Sequence, residues 1–217
     1  MKIHIITIFP ESFQSYFSSS ILSRAIKDEK LKINFYKLND FSSDNFKRVD
    51  SKAYGMHGQV ISPEPLSKAI EFVFSKIGKK IPVIYMAASG DLLNQEKIED
   101  YYEKLNGEFI IICGHYEGID NRIIDLYVDH CISIGEYVLT SGELAASVFI
   151  DSLARNIPGV LGNSLSLEEE SFSKIFDRQK EYPVYTRPEV FMGKKVPEIL
   201  LSGNHKKIQE WKIKNLI

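Results

Sequence analysis

Five short runs constrain the fold more than anything else in the chain: KIHIITIF (2–9), LKINFYKL (31–38), IPVIYMA (81–87), GEFIIICG (107–114) and VDHCISI (128–134). Several are almost continuously apolar and rich in Ile, Val, Phe and Tyr, the pattern of strands covered on both faces. Segments with helical spacing separate them, at roughly 11–28, 63–77, 92–104, 118–126 and 142–156. Strand and helix alternate, so the expected fold class is α/β with a mainly parallel sheet. With 217 residues, 44% of them apolar, the chain can bury a sizeable core.

Proline and glycine supply the boundaries. IPGVLG (157–162) closes the α/β part, residues 163–185 lack a strong period and read as a linker, and 186–217 read as a small helical unit. In that last unit VPEILLSGNHKKIQEWKIKNLI suggests two short helices around a Ser-Gly-Asn turn, with Ile208, Trp211 and Ile213 on one apolar face. Residues 174–217 carry ten Lys or Arg against five Asp or Glu, although the whole chain has a net charge of only -2. Such a basic region suits either a polyanionic partner or a solvated helical surface.

No run of about 18 apolar residues occurs, so no membrane partner is expected. The N-terminal MKIHIITIFPESF alternates and breaks at Pro10, which suits a first strand better than a secretory signal. Cys113 and Cys131 have no paired spacing and fall in strand-like runs, as buried thiols of a reducing compartment do. The five histidines show no metal-ligand spacing. Neither GxGxxG after the first strand, nor GxxxxGK[ST], nor GxSxG is present, which disfavours dinucleotide, P-loop and serine-hydrolase chemistry.

Ligands of open parallel sheets bind beyond the carboxyl ends of the strands. Three consecutive strands here run into small-residue loops at that end: YMAASG (85–90), CGHYEG (113–118) and SIGEYVLTSG (133–142). Their convergence would make a backbone-lined pocket, although each loop alone reads equally well as a turn.

At these residues the chain resembles a known family. HYEGIDNRIIDLYVDHCISIGEYVLTSGELAASVFIDSLARNIPGVLGNS is similar to the core of the bacterial tRNA (guanine-N1)-methyltransferases of the SPOUT superfamily. The likeness continues in IITIFPESF, DFSSDNFKRVDSKAYG, YPVYTRPEVF and VPEILLSGNHKKIQEWK, and so covers nearly the whole chain in order. The resemblance implies a knotted catalytic domain over 1–162 whose trefoil loops hold S-adenosylmethionine. It further implies a homodimer that shares each active site, a tRNA-binding C-terminal unit and a cytoplasmic location.

By the same resemblance the cofactor positions are Tyr85 and Met86 in the first loop, and Gly114, Tyr116, Glu117 and Gly118 in the second. In the third they are Ile134, Gly135, Glu136, Tyr137, Val138, Leu139 and Gly142. Glu170 falls where the family has its aspartate base, and Arg155 falls at the position of the family's arginine. No residue is assigned as a metal ligand, while magnesium is kept as a candidate cofactor.

The reaction implied is methyl transfer from S-adenosylmethionine to N1 of the guanosine immediately 3′ of the anticodon, position 37. Several residues depart from the family pattern. YGMHGQV (54–60) stands for a longer glycine-rich loop, MAAS (86–89) for Leu-Ser-Pro-Gln, His115 for arginine, Ser141 for glycine and Ala145 for proline. Two other readings therefore stay open at this point: an RNA-binding scaffold that has lost methyl transfer, and a methyltransferase of another RNA site.

Overall fold

The computed structural model describes residues 1–162 and 169–217, and the chain divides into two compact units, Met1–Leu161 and Gly162–Ile217. The first unit begins with β1 (Lys2–Thr7), a 3-10 turn at Pro10–Phe13, α1 (Gln14–Phe17), α2 (Ser20–Lys27) and β2 (Lys32–Lys37). A small hairpin of β3 (Asp50–Lys52) and β4 (Gln59–Ile61) follows, then α3 (Pro63–Ile77), β5 (Val83–Leu92) and α4 (Gln95–Lys104). The unit ends with β6 (Glu108–Cys113), α5 (Asn121–Tyr127), β7 (His130–Ser133) and α6 (Gly142–Ala154).

All five strands foreseen from the apolar runs form one sheet in the order β2-β1-β6-β5-β7, with every pairing parallel. Side chains alternate across it, as the two-residue strand period requires. Phe109, Ile111 and Cys113 of β6 pack in one apolar layer with Phe149 and Ile150 of α6. Ile110 and Ile112 of the same strand pack in the other, with Leu66, Ile70 and Val73 of α3 and Ile123 of α5. Helices on both faces explain why the strand runs show no polar alternation.

Within the first unit the structure departs from the sequence pattern in three places. The helix expected over 11–28 is broken at Ser18 and Ser19, whose hydroxyls both donate to the Ser15 carbonyl at 3.2 and 2.8 Å. Serine side chains compete with the helical hydrogen-bond ladder in this way. Strand β5, expected to stop near residue 87, continues to Leu92 through an irregularity: Met86 and Asp91 are both opposite Ile132. A Cβ on Gly90 would lie 2.5 Å from the Ile132 nitrogen, so only glycine lets the chain return against β7 here. The β3–β4 hairpin carries no apolar alternation and has only three residues per strand, which leaves nothing for a pattern to register.

The second unit contains the hairpin β8 (Val190–Phe191) and β9 (Lys194–Lys195), then α7 (Glu198–Leu201) and α8 (His205–Lys214). The two helices flank the Ser-Gly-Asn turn as expected: Gly203 has a φ of 68° and Asn204 caps α8 by accepting the Lys207 amide at 3.2 Å. Of the segment expected as a linker, 163–168 lie outside the described residues, and 169–185 pack within this unit. Tyr182 and Tyr185 meet the Trp211 ring at 6.2 and 6.4 Å, and Lys180 and Ile217 exchange two backbone hydrogen bonds. Lys212, counted among the basic patch, is half-buried and pairs with Glu169 at 2.5 Å, while Lys194, Lys195, Lys206, Lys207 and Lys214 are exposed.

A buried polar cluster crosses three adjacent strands, β2, β1 and β6. His4 is 1% exposed; its Nδ1 lies 2.9 Å from the Tyr36 hydroxyl and its Nε2 3.3 Å from Glu108, which also pairs with Lys2 at 2.7 Å. Burial is the main reason that the imidazole pKa is lowered from its usual 6.5. The unfolded chain therefore takes up the proton first, so stability is full above the unfolded pKa and falls as pH drops below about 6.5. Urea unfolding at pH 7.5 and 5.5 should show a loss of midpoint that is smaller in His4→Gln, which has no proton to gain.

Candidate active site

Strands β6, β5 and β7 are adjacent, and the loops leaving their carboxyl ends close on a single cavity of about 310 Å3. From the first loop it is lined by Tyr85, Met86, Ala87, Ala88 and Ser89, and from the second by residues 114–118. The third loop contributes Ile132 to Gly135 and Tyr137 to Gly142, and Ala145 adds one turn of α6. Twelve of the thirteen cofactor residues expected from the sequence line this space. Glu136 does not; it sits between lining residues and is exposed.

Glycine is required where the loops meet. The Gly142 amide donates to the Gly114 carbonyl at 2.8 Å, and a Cβ on Gly142 would lie 2.7 Å from the Gly114 nitrogen and 2.9 Å from the Cys113 Cα. Both obstacles are backbone, so nothing could rotate away. Gly114 in turn faces Tyr85, whose hydroxyl would be 2.9 Å from its Cβ. Burial raises the Tyr85 pKa, so the phenol stays protonated at neutral pH.

The β3–β4 hairpin holds the second loop from the other side. The Glu117 amide donates to Gln59 at 3.0 Å, Ile61 donates to Gly118 at 3.0 Å, and Asp120 donates to Ile61 at 3.1 Å. Tyr116 is consequently held at a φ of 58°, with its half-exposed ring at the cavity rim near Asp50. Residues 54–58 form the hairpin tip, where Tyr54 is fully exposed.

Further residues of these loops were not assigned cofactor positions, His115 and Ser141 having been noted only as departures from the family pattern. His115, Ser133, Thr140 and Ser141 all line the cavity. Beneath them Glu143 is only 4% exposed, although an acidic residue in a first helical turn reads as a dipole partner at the surface. Its signal was the near-continuous apolar run around it, which marks α6 as a helix buried on most sides. Cys113 is fully enclosed and burial holds its thiol pKa well above the ordinary range, which removes it as a nucleophile.

Arg155 follows the last turn of α6, whose first turn lines the cavity. Thirteen helical residues separate the two ends by about 20 Å. Glu170 belongs to the second unit, where its carbonyl accepts the Ser173 amide at 3.1 Å. Among the described residues, no group of three or more His, Cys, Asp or Glu side chains is arranged to hold a metal ion.

Comparison with known proteins gives a consistent match. The family model described as tRNA (Guanine-1)-methyltransferase TrmD matches residues 1–217. A tRNA (guanine-N(1)-)-methyltransferase of Clostridioides difficile strain 630 is 47% identical over 214 residues, covering 98% of this chain and 90% of that protein. One of Caldanaerobacter subterraneus subsp. tengcongensis is 48% identical over 213 residues, covering 98% and 85%. The crystal structure of a tRNA (m1G37) methyltransferase from Aquifex aeolicus superposes with a TM-score of 0.80 at 35% identity, over 99% of this chain and 88% of that one.

The close approach at Gly142 makes a direct prediction. Gly142→Ala should lower stability by about 1–3 kcal/mol, because the added methyl meets backbone on two sides. Urea unfolding at pH 7.5 measures this, and a variant within about 0.5 kcal/mol of wild type would show that the loops do not depend on contact here.

Proposed function

The chain belongs to the tRNA (guanine-1)-methyltransferase family, and we accordingly propose that it methylates N1 of the guanosine at position 37 of tRNA, immediately 3′ of the anticodon. The observation that carries this reading is the cavity itself: three loops at the carboxyl ends of three adjacent parallel strands, brought together by glycines. Its volume lies at the lower end of the range for small-molecule sites. The wall combines apolar Met86, Ile134, Leu139 and Ala145 with main-chain groups of residues 114–118 and 134–141, a lining that suits a nucleoside joined to an amino acid. S-adenosylmethionine, when bound there, supplies a methyl group already activated on a sulfonium.

What remains for the protein is alignment and proton transfer. Guanine N1 carries a proton at neutral pH and attacks only as that proton leaves. In the proposed mechanism the Glu170 carboxylate accepts it, and the Arg155 guanidinium stabilises the negative charge that develops on O6. Glutamate in place of aspartate retains the acid and lengthens its reach by one methylene.

The site is proposed to be shared by two subunits. Arg155 lies ten residues, or about 15 Å along the helix, from the cavity-lining Ala145 of its own chain. A second copy brings its own Arg155 to that rim if the subunits pack across α6. The outer surface of this helix supports such packing, since Leu144 and Val148 are 60% and 41% exposed beside the half-exposed Tyr16. A trefoil knot in the backbone of the loops is part of the same proposal.

The tRNA is proposed to meet the exposed lysines of the second unit, with binding that weakens as salt rises. A cytoplasmic location is proposed because that is where tRNA is modified. Among the described residues no helix is long and apolar enough to cross a membrane. Magnesium is kept as a candidate cofactor.

Transfer of labelled methyl to two tRNA transcripts, differing only in G or A at position 37, tests the reading. Label should enter the G transcript alone, and Glu170→Gln should lose about 100-fold in rate. Equal labelling of both transcripts would move the target elsewhere. Binding of tRNA without any transfer would favour a scaffold role.

A further inference from the structure

Glu143 takes no part in the mechanism above, yet among the described residues it is the one buried carboxylate. A carboxylate withdrawn from water is costly unless its oxygens are well bonded, so a purely packing role here would be better served by an apolar side chain. Its oxygens are engaged from two directions. The Thr7 hydroxyl, at the end of β1, donates to Oε1 at 2.5 Å. His115 Nε2 lies 2.9 Å from Oε1 and 2.8 Å from Oε2.

The arrangement continues beyond these three residues. The Thr7 hydroxyl oxygen accepts the Phe9 amide at 3.0 Å, and the Phe9 ring meets the His115 ring edge-on with centroids 5.2 Å apart. His115 is thus fixed by the exit of β1 on one side and by the first turn of α6 on the other. The adjacent residue pair, Gly142 and Gly114, is joined by the backbone hydrogen bond already described. Two neighbouring residues of the third segment therefore grip two neighbouring residues of the second, one pair through main chain and one through side chains. His115 lines the cavity, whereas Glu143 lies behind it, on the far side of the wall.

We propose that Glu143 is a positioning residue for the cofactor-binding loop: by holding His115 it fixes residues 114–118 at the geometry that receives S-adenosylmethionine. The proposal rests on the reading of the cavity as the cofactor site. What Glu143 requires of position 115 is an N–H donor directed at a carboxylate. Arginine satisfies that requirement and alanine does not.

Calorimetric titration with S-adenosylhomocysteine tests this, using wild type, Glu143→Gln, His115→Ala, the double variant and His115→Arg, with a melting curve for each. Each of the first two single variants should weaken binding about tenfold, and the double variant no further, because both remove the same interaction. His115→Arg should bind within about twofold of wild type, since a guanidinium retains charge-assisted donors. Wild-type affinity in the single variants, losses that multiply in the double variant, or His115→Arg binding as weakly as His115→Ala would each overturn the proposal. If Glu143→Gln does not fold, the contrast between alanine and arginine at position 115 decides alone. Failure of wild type to bind would instead overturn the cofactor reading, and this proposal with it.

Discussion

The backbone contact between Gly142 and Gly114 is the constraint on which the site depends. Two chain segments approach until an amide and a carbonyl meet at 2.8 Å, with no space for a single methyl between them. That approach sets where α6 begins and therefore where its first turn enters the cavity. It also aligns Glu143 with His115, so the side-chain grip follows from the main-chain one. A parallel sheet provides the platform: only because β6, β5 and β7 are adjacent and point the same way do their loops emerge on one edge.

The same helix has a second consequence. Its N-terminal turn faces the cavity while Arg155 stands beyond its other end, so a rigid element of about 20 Å separates that turn from the arginine proposed to act in the reaction. The two-fold assembly proposed above would resolve the separation at the cost of making catalysis depend on association, and the exposed Leu144 and Val148 offer apolar surface for it.

Much of this was legible in the sequence, for identifiable reasons. Strands buried on both faces leave continuous apolar runs, so all five strands of the main sheet were marked, and α3 follows an uninterrupted helical period to the Gly78 that ends it. Where side chains compete with the backbone, as at Ser18 and Ser19, periodicity misled. Where strands are short and polar, as in β3 and β4, it had nothing to detect. The three loops could be found from glycine at strand ends, but their convergence on one cavity needed the strand order. The buried Glu143 was hidden because a first-turn acid has the same sequence appearance whether it faces water or a histidine. Residues 169–185 read as a linker because their anchors, Tyr182 and Tyr185 against Trp211, are aromatic contacts across the sequence and leave no local period.

These loops are proposed to form the cofactor site, and a crystal structure with bound S-adenosylhomocysteine is the decisive test. The ligand is expected in the cavity between residues 114–118 and 134–142, with main-chain contacts to both and the Gly142 to Gly114 hydrogen bond intact. Ligand bound elsewhere on the chain, or bound with these two segments parted, would contradict that assignment.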